Sequence, residues 1–336
     1  MSRVVVVTGA GGVGKTTLAA ATAVRAARQG SSALVLTVDP ARRLADALGL
    51  DELGNDPEPV PNEPGLSAAM LDVTASWEAM VNQHAEPDVA DRLLANPYFR
   101  AIADRFPAAQ SYAAGEEMSR YIESGRWEVI VVDTPPSAGG IDFFEAPANM
   151  RNLIGGRLLR WITGARLPGR KALYRIAARP ALRLADSVLG GPLLEEIADF
   201  FVDLRTLHDG ISARARHVER HLAEATTVVV TTSDPTPLRE AHRFFGSIEK
   251  PELVVFNRAL PAEWADAGPS GVEGKIGVIA DKAIERWGTE AHKGARVQAE
   301  FSERYGVDVV AVPWLATPPT DADALDTLAD GLPTTP

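Results

Sequence analysis

The sequence predicts an α/β fold: a doubly wound, mainly parallel sheet carrying an α-helical insertion subdomain. Three observations predict it. Short, continuous apolar runs alternate with helical stretches at both ends of the chain, the pattern of strands buried on both faces and linked by helical crossovers. The first of these runs passes straight into a glycine-rich loop and then an alanine-rich helical stretch. Between residues 141 and 225, helical stretches with Gly and Pro breaks follow one another without a convincing strand.

The elements follow in order. RVVVVT (3–8) has the composition of a central parallel strand, and a helix is expected from about 15 to 29, stopped at Gly30. ALVLTV (33–38) is a second buried strand ending at Asp39-Pro40. Residues 51–65, rich in Pro, Gly and acid, read as a surface loop, and 66–73 as a candidate third strand. Helices broken near Pro87, Pro97 and Pro107 are expected over 74–126. WEVIVV (127–132) is a clear strand ending at Asp133-Thr134-Pro135-Pro136. Strands return at 227–231, 252–256 and 307–312, with a long polar helical region, 262–300, before the last. The expected division is a core of 1–73, 127–147 and 225–330 and a helical subdomain of 74–126 and 148–224, with GLPTTP frayed at the end. In such sheets ligands sit at the carboxyl ends of the strands. Gly9, Asp39 and Asp133 each follow a strand directly and converge on that edge.

Composition narrows the chemistry. The absence of cysteine removes disulfides, thiolate zinc sites, iron–sulfur clusters and cysteine nucleophiles together. No signal-peptide pattern opens the sequence and no apolar run approaches membrane-spanning length, so a cytoplasmic protein is expected. A net charge of −11 argues against general nucleic-acid binding. The charge is unevenly spread: residues 151–185 hold nine basic side chains and no acidic one.

The loop TGAGGVGKTT satisfies the phosphate-loop pattern G-x-x-x-x-G-K-[ST] through Gly9, Gly14, Lys15 and Thr16. Glycines at Gly11, Gly12 and Gly14 let successive N–H groups, with those of Val13 and Thr17, approach phosphate oxygens. The following helix directs its positive dipole end at the same anion. Lys15 can bridge the β- and γ-phosphates and the Thr16 hydroxyl can ligate Mg²⁺. The pattern therefore points to a P-loop nucleotide-binding fold with a nucleoside polyphosphate and Mg²⁺; ATP as the nucleotide is implied by the resemblance that follows. Asp133, at a strand end, suits support of the metal, or alternatively a cap on the Thr-Pro-Pro turn. Asp39 suits orientation of the attacking water, or alternatively an N-cap with Pro40 at the first helical position. Spacing alone leaves both readings of Asp39 open.

The loop, the DPARRLADAL segment and DTPPS together resemble the deviant-Walker-A P-loop ATPases, within the group of the arsenite-pump ATPase and the tail-anchored-protein targeting factor. Matching segments are 3–49, 127–147, 227–259 and 307–315. It also resembles one of a pair of actinobacterial paralogues among the anion-transporting ATPases whose chains form a heterodimer. The resemblance implies a dimer, as a homodimer or with a paralogue, that closes on ATP. It implies Asp39 as the water-orienting, catalytic carboxylate in switch I, and Asp133 in switch II. It implies Asn257 as the adenine reader, Pro313 and Trp314 as the other wall of the base pocket, and Glu240 near nucleotide and interface.

The sequence also departs from that family. The usual loop, G-K-G-G-V-G-K-T, has a first lysine that reaches the partner's phosphates; here Ala10 occupies its place. Slow hydrolysis by the chain alone, and faster hydrolysis beside a lysine-bearing paralogue, are expected. Switch II continues Ser137-Ala138-Gly139-Gly140, with no side chain longer than serine to couple phosphate state to movement. Without cysteines, arsenite capture and a zinc-clasped dimer are excluded.

The basic segment 151–185 mixes Arg with Leu, Ile and Trp. It suits an anionic membrane surface, with the protein then peripheral to the membrane, or a protein cargo. It also suits, slightly better, a lid whose arginines pair with acidic groups of the protein itself or of its dimer partner. The reading that follows is an Mg·ATP-dependent dimeric switch that handles a partner or cargo. The rivals are an ATP-holding regulatory subunit and a ParA/MinD-type positioning ATPase. The acidic tail TDADALDTLADGLPTTP speaks against the DNA- or membrane-binding tail of the latter.

Overall fold

The computed structural model describes residues 2–39, 42–97, 99, 107–135, 140–155, 200–204, 206–248, 251–315, 317–329 and 332. The chain forms two compact units, one of 1–71, 121–141 and 224–336, the other of 72–120 and 142–223.

The first unit is built on an eight-stranded sheet: β1 (Arg3–Gly9), β2 (Ala33–Thr37), β3 (Glu58–Pro59), β4 (Leu66–Met70), β5 (Val129–Asp133), β6 (Thr226–Thr231), β7 (Leu253–Ala259) and β8 (Asp308–Pro313). The spatial order is β3-β4-β2-β5-β1-β6-β7-β8. Every pairing is parallel except the short edge pair β3–β4. This is the doubly wound sheet that the alternation of apolar runs predicts. Val6, Leu34, Val35, Leu36, Ile130, Val131 and Val132 are fully buried, so these central strands hide side chains on both faces of the sheet, as successive residues of a strand point to opposite sides. The ladders put Val7 and Thr37 level with Asp133, so three strand ends meet at one point.

Helix α1 (Lys15–Arg28) follows β1 and buries Ala19, Ala20, Ala21, Ala23 and Ala27. Small side chains let it lie close to the sheet. α2 (Arg43–Leu48) follows β2. It begins after Arg42, so Asp39 is not its N-cap; that reading of Asp39 falls. Residues 51–65 are not wholly loop, since β3 pairs there with β4. The polar region 262–300 resolves into a short 3-10 turn, Ala262–Trp264, and one 32-residue helix, Gly274–Tyr305.

The acidic tail forms a helix, Ala322–Ala329, that the residue pattern alone did not announce. Its Leu325 and Ala329 are fully buried in the cluster that includes α1. Asp326 lies 3.2 Å from Arg25, and Asp323 lies 2.7 Å from Arg28, in the last turn of α1. The tail is therefore packed within the unit by its leucines and aligned by its acids.

The second unit is helical. It contains α3 (Val73–His84), α4 (Pro87–Ala95) and most of α5 (Pro107–Ser124), α6 (Ile141–Gly155) and α7 (His208–Glu224). Asp72 caps α3 by accepting from the Ala75 N–H at 3.0 Å. Within it Trp77 packs on Tyr112, and Arg214 pairs with Glu116 at 2.7 Å. Of the basic segment, 156–185 lies outside the described residues, as do Ser137, Ala138 and Gly139 of the switch II stretch. Arg151, at the start of the basic segment, pairs with Glu219. Among the described residues no helix is long and apolar enough to cross a membrane.

Candidate functional site

The site forms where β1, β2 and β5 end. A cleft of about 420 Å³ is lined by Gly12, Gly14, Lys15, Thr16, Thr17 and residues of four other segments: Asp39, Arg43, Asp46 and Ala47; Asp133 and Thr134; Arg258; and 318–320. Gly14 has φ +97°, a left-handed conformation that glycine adopts without penalty. A side chain there would also collide with the Asn257 amide. Farther along, Gly140 has φ +71° and its Cα abuts the Thr8 side chain so closely that no Cβ fits.

Lys15 is buried, and its ammonium donates to the carbonyls of Gly9 and Ala10, both at 2.9 Å. Burial pulls it below the ordinary lysine range, against the opposing charges of Asp133, Asp39 and Glu240. It is thus a cation held ready beside the loop, with Glu240 near enough to feel it. The Thr16 hydroxyl donates to Asp133 Oδ2 at 2.6 Å, and the Thr37 hydroxyl donates to the same oxygen at 2.9 Å. Burial pushes the Asp133 carboxyl up to about 6, while the two hydroxyls and Lys15 hold it from rising further. Asp133 Oδ1 is buried and accepts no hydrogen bond. Asp39 sits across the cleft; its N–H donates to Thr37 Oγ1 at 3.2 Å, and its Oδ2 accepts from Arg43 at 2.9 Å.

These groups fit Mg·ATP. The cradle offers N–H groups and an ammonium for phosphate. Thr16 and the open oxygen of Asp133 offer hard oxygen donors, as Mg²⁺ requires. Among the described residues no cluster of three His, Cys, Asp or Glu could hold a metal by itself. A magnesium site here would be completed by phosphate and water oxygens, which is the usual way proteins bind that ion.

The anion-transporting ATPase family matches residues 2–273. The chain belongs to that family. An uncharacterized protein of Streptomyces coelicolor is 33% identical over 56% of this chain and 51% of its own length. ATPase GET3 of Malassezia globosa is 31% identical over 42% of this chain and 41% of its own. A putative arsenical pump-driving ATPase of Prosthecochloris vibrioformis is 24% identical over 78% of this chain and 62% of its own. The matches span between about two fifths and three fifths of these relatives' lengths.

The remaining expected residues of this anion-transporting ATPase family member are less gathered. Asn257 lies against the phosphate loop: its Nδ2 donates to Val13 O at 2.7 Å and its Oδ1 accepts from the Arg258 N–H at 2.9 Å. Pro313 and Trp314 are not among the cleft-lining residues; Trp314 is half exposed and stacks on Trp287 with ring centroids 6.1 Å apart. Ala10 is 4% exposed and belongs to the buried apolar cluster, whereas Gly11 and Gly12 beside it are exposed. Sequence reasoning missed three polar side chains at the site and one stretch of its wall. Thr37 could have been singled out as a polar residue at a strand end, though not as a partner of Asp133, and Arg258 as the neighbour of Asn257. Nothing in the pattern announced Arg43 as the partner of Asp39, or the 318–320 wall.

Proposed function

We propose that the protein is an Mg·ATP-dependent ATPase that works as a nucleotide-gated dimer and uses its helical unit to handle a partner or cargo. The observation that carries this reading is the cluster of Lys15, Thr16, Asp39 and Asp133 in one cleft, with a buried Asp133 oxygen left open. Lys15 holds and neutralises the β- and γ-phosphates. Thr16 and Asp133 hold Mg²⁺, which when bound offsets charge on the phosphates. Asp39 orients the water that attacks the γ-phosphate; to do so it leaves, or shares, its bond to Arg43. Asn257 faces the base, with Pro313 and Trp314 as the opposite wall once nucleotide enters.

Ala10 sets the rate. Its methyl group offers no charge, so a homodimer lacks a trans cation in both sites, and a heterodimer with a lysine-bearing paralogue has it in one. Such a group in GTPases raises the rate roughly a thousandfold or more. The test is ATP turnover by the chain alone and mixed with a lysine-bearing paralogue of the same family. Slow turnover alone and a large gain on mixing are expected; full turnover alone sinks the trans-lysine argument. Ala10→Lys is a poorer test, because the side chain at position 10 is buried.

A second reading is an ATP-holding regulatory subunit with little hydrolysis. The Asp39–Arg43 pair and the lack of a charge at position 10 favour it. No gain in turnover on mixing, with ATP still bound, would select it. The basic segment 151–185 is proposed as the contact for cargo or an anionic membrane surface, with the protein otherwise cytoplasmic. Co-sedimentation with anionic vesicles tests that part.

A further inference from the structure

Arg258 lines the phosphate cleft beside Lys15, Thr16 and Thr17, yet nothing in the phosphate-loop chemistry calls for it. Its position is the product of an unusual stretch of backbone. Along β7 and β8, Phe256 pairs with Ala311 and Ala259 with Pro313, so Asn257 and Arg258 together stand opposite one residue. This is a β-bulge, a device that re-aims side chains and concentrates next to functional sites. Arg258 has φ +56°, a left-handed conformation in which non-glycine residues are uncommon and arginine has no special advantage. A glycine would take that conformation freely.

The conformation is held from one side by the Asn257 amide. Its oxygen accepts the Arg258 N–H, and its nitrogen donates to Val13 O of the phosphate loop. Loop, asparagine and arginine are thereby one connected unit. The Arg258 side chain is exposed, and among the described residues no carboxylate pairs with its guanidinium. A strained backbone that persists, and that presents an unpaired cation to an anion cradle, calls for a ligand.

We infer that Arg258 is a phosphate-binding residue of the nucleotide site: its guanidinium engages an oxygen of the polyphosphate from the same subunit. The inference rests on the reading of the cleft as an ATP site and names a further group of it. A guanidinium presents a planar fork of donors that matches a phosphate group. Arg258 supplies its charge in cis, so it acts on nucleotide retention and does not stand in for the partner's lysine.

The test is calorimetry on the full chain with Mg·ATP and with Mg·tripolyphosphate, for the wild type, Arg258→Gly, Arg258→Gln and Arg258→Lys. Arg258→Gly and Arg258→Gln are expected to bind both probes about ten- to a hundredfold more weakly, the range of one charge-assisted hydrogen bond. Arg258→Lys is expected to recover part of the loss. Ligand-free Arg258→Gly is expected to melt no lower than the wild type, because glycine relieves the backbone; a purely structural arginine would show the reverse. ATP affinity within twofold of wild type in Arg258→Gln overturns the inference while leaving the ATP site standing. So does a loss confined to ATP and absent with tripolyphosphate, which would place the guanidinium on the nucleoside. Failure of the wild-type chain to bind Mg·ATP overturns the inference and the proposed function together.

Discussion

The Thr16 hydroxyl and Asp133 Oδ2 lie 2.6 Å apart although 117 residues separate them in sequence. One belongs to the first turn of the helix after the phosphate loop, the other to the end of the strand beside it. The contact joins the two groups proposed to hold magnesium and gives one of the two hydrogen bonds to a fully buried carboxylate. Thr16→Ala removes that donor and leaves Thr37 alone on the same oxygen. We expect the ligand-free variant to lose about 1–3 kcal/mol of stability at neutral pH, read by urea unfolding, and to bind ATP with a weaker magnesium dependence.

Asp133 gives the unliganded chain a definite pH dependence. Its carboxyl is raised from 3.8 to about 6 by burial, so between those values the native state holds a proton that the unfolded state has lost. Stability from this group is then greatest at low pH and declines as pH rises through that window, with the full cost of the buried charge present above it. Asp133→Asn removes the titration. The variant is expected to be more stable than wild type above pH 7 by about 3 kcal/mol at most, and to lose that advantage near pH 4. Equal pH profiles for the two proteins would contradict the assignment.

The sheet was legible because its strands are written as uninterrupted runs such as VVVV and VIVV, which only a sheet covered on both faces accommodates. The phosphate loop was legible because its glycines, lysine and threonine occupy adjacent positions. What joins residues far apart was not: that Thr37 shares Asp133 with Thr16, or that Arg43 takes Asp39, depends on strand order and register. Asp39 shows how close two readings can be. Asp-Pro is a good helix start, yet α2 begins only after Arg42, and the Asp39 carboxylate instead accepts from Arg43 at the cleft. The C-terminal helix was hidden for another reason. TDADALDTLADG shows few apolar residues, and its two buried leucines matter only because α1 offers them an alanine-lined face.

Asp39→Asn separates binding from hydrolysis. The side chain keeps its size and can still accept from Arg43, but it no longer carries the charge that draws a proton from water. We expect kcat, measured in the most active complex, to fall by about a hundred- to ten-thousandfold, with the Kd for Mg·ATP changed only a few-fold. A parallel loss of affinity would show that Asp39 holds the nucleotide rather than the water.

The C-terminal helix is expected to stabilise the nucleotide-binding unit. Leu325 is fully buried in the cluster around α1, so Leu325→Ala should cost about 2–5 kcal/mol. Because α1 also carries Lys15 and Thr16 at its first turn, the variant is a sensitive reporter: thermal unfolding should shift down without ATP and recover partly when Mg·ATP is added. An unchanged melting temperature would mean that the helix is not seated on α1 in solution.

Asn257 has two candidate duties, and one variant tells them apart. Its amide already serves the phosphate loop through Val13 O, a carbonyl that Asn257→Ala leaves without this donor. If that is its whole task, the variant weakens ATP and GTP by the same factor, about three- to tenfold for one neutral hydrogen bond. If the amide also reads the purine edge, as its donor and acceptor allow, the variant loses ATP affinity more than GTP affinity and the ratio between them narrows. Side-by-side titration of the two nucleotides therefore decides whether one side chain both braces the loop and selects the base. The second outcome is the one expected, since one amide hydrogen and one oxygen lone pair remain uncommitted while both present bonds are made.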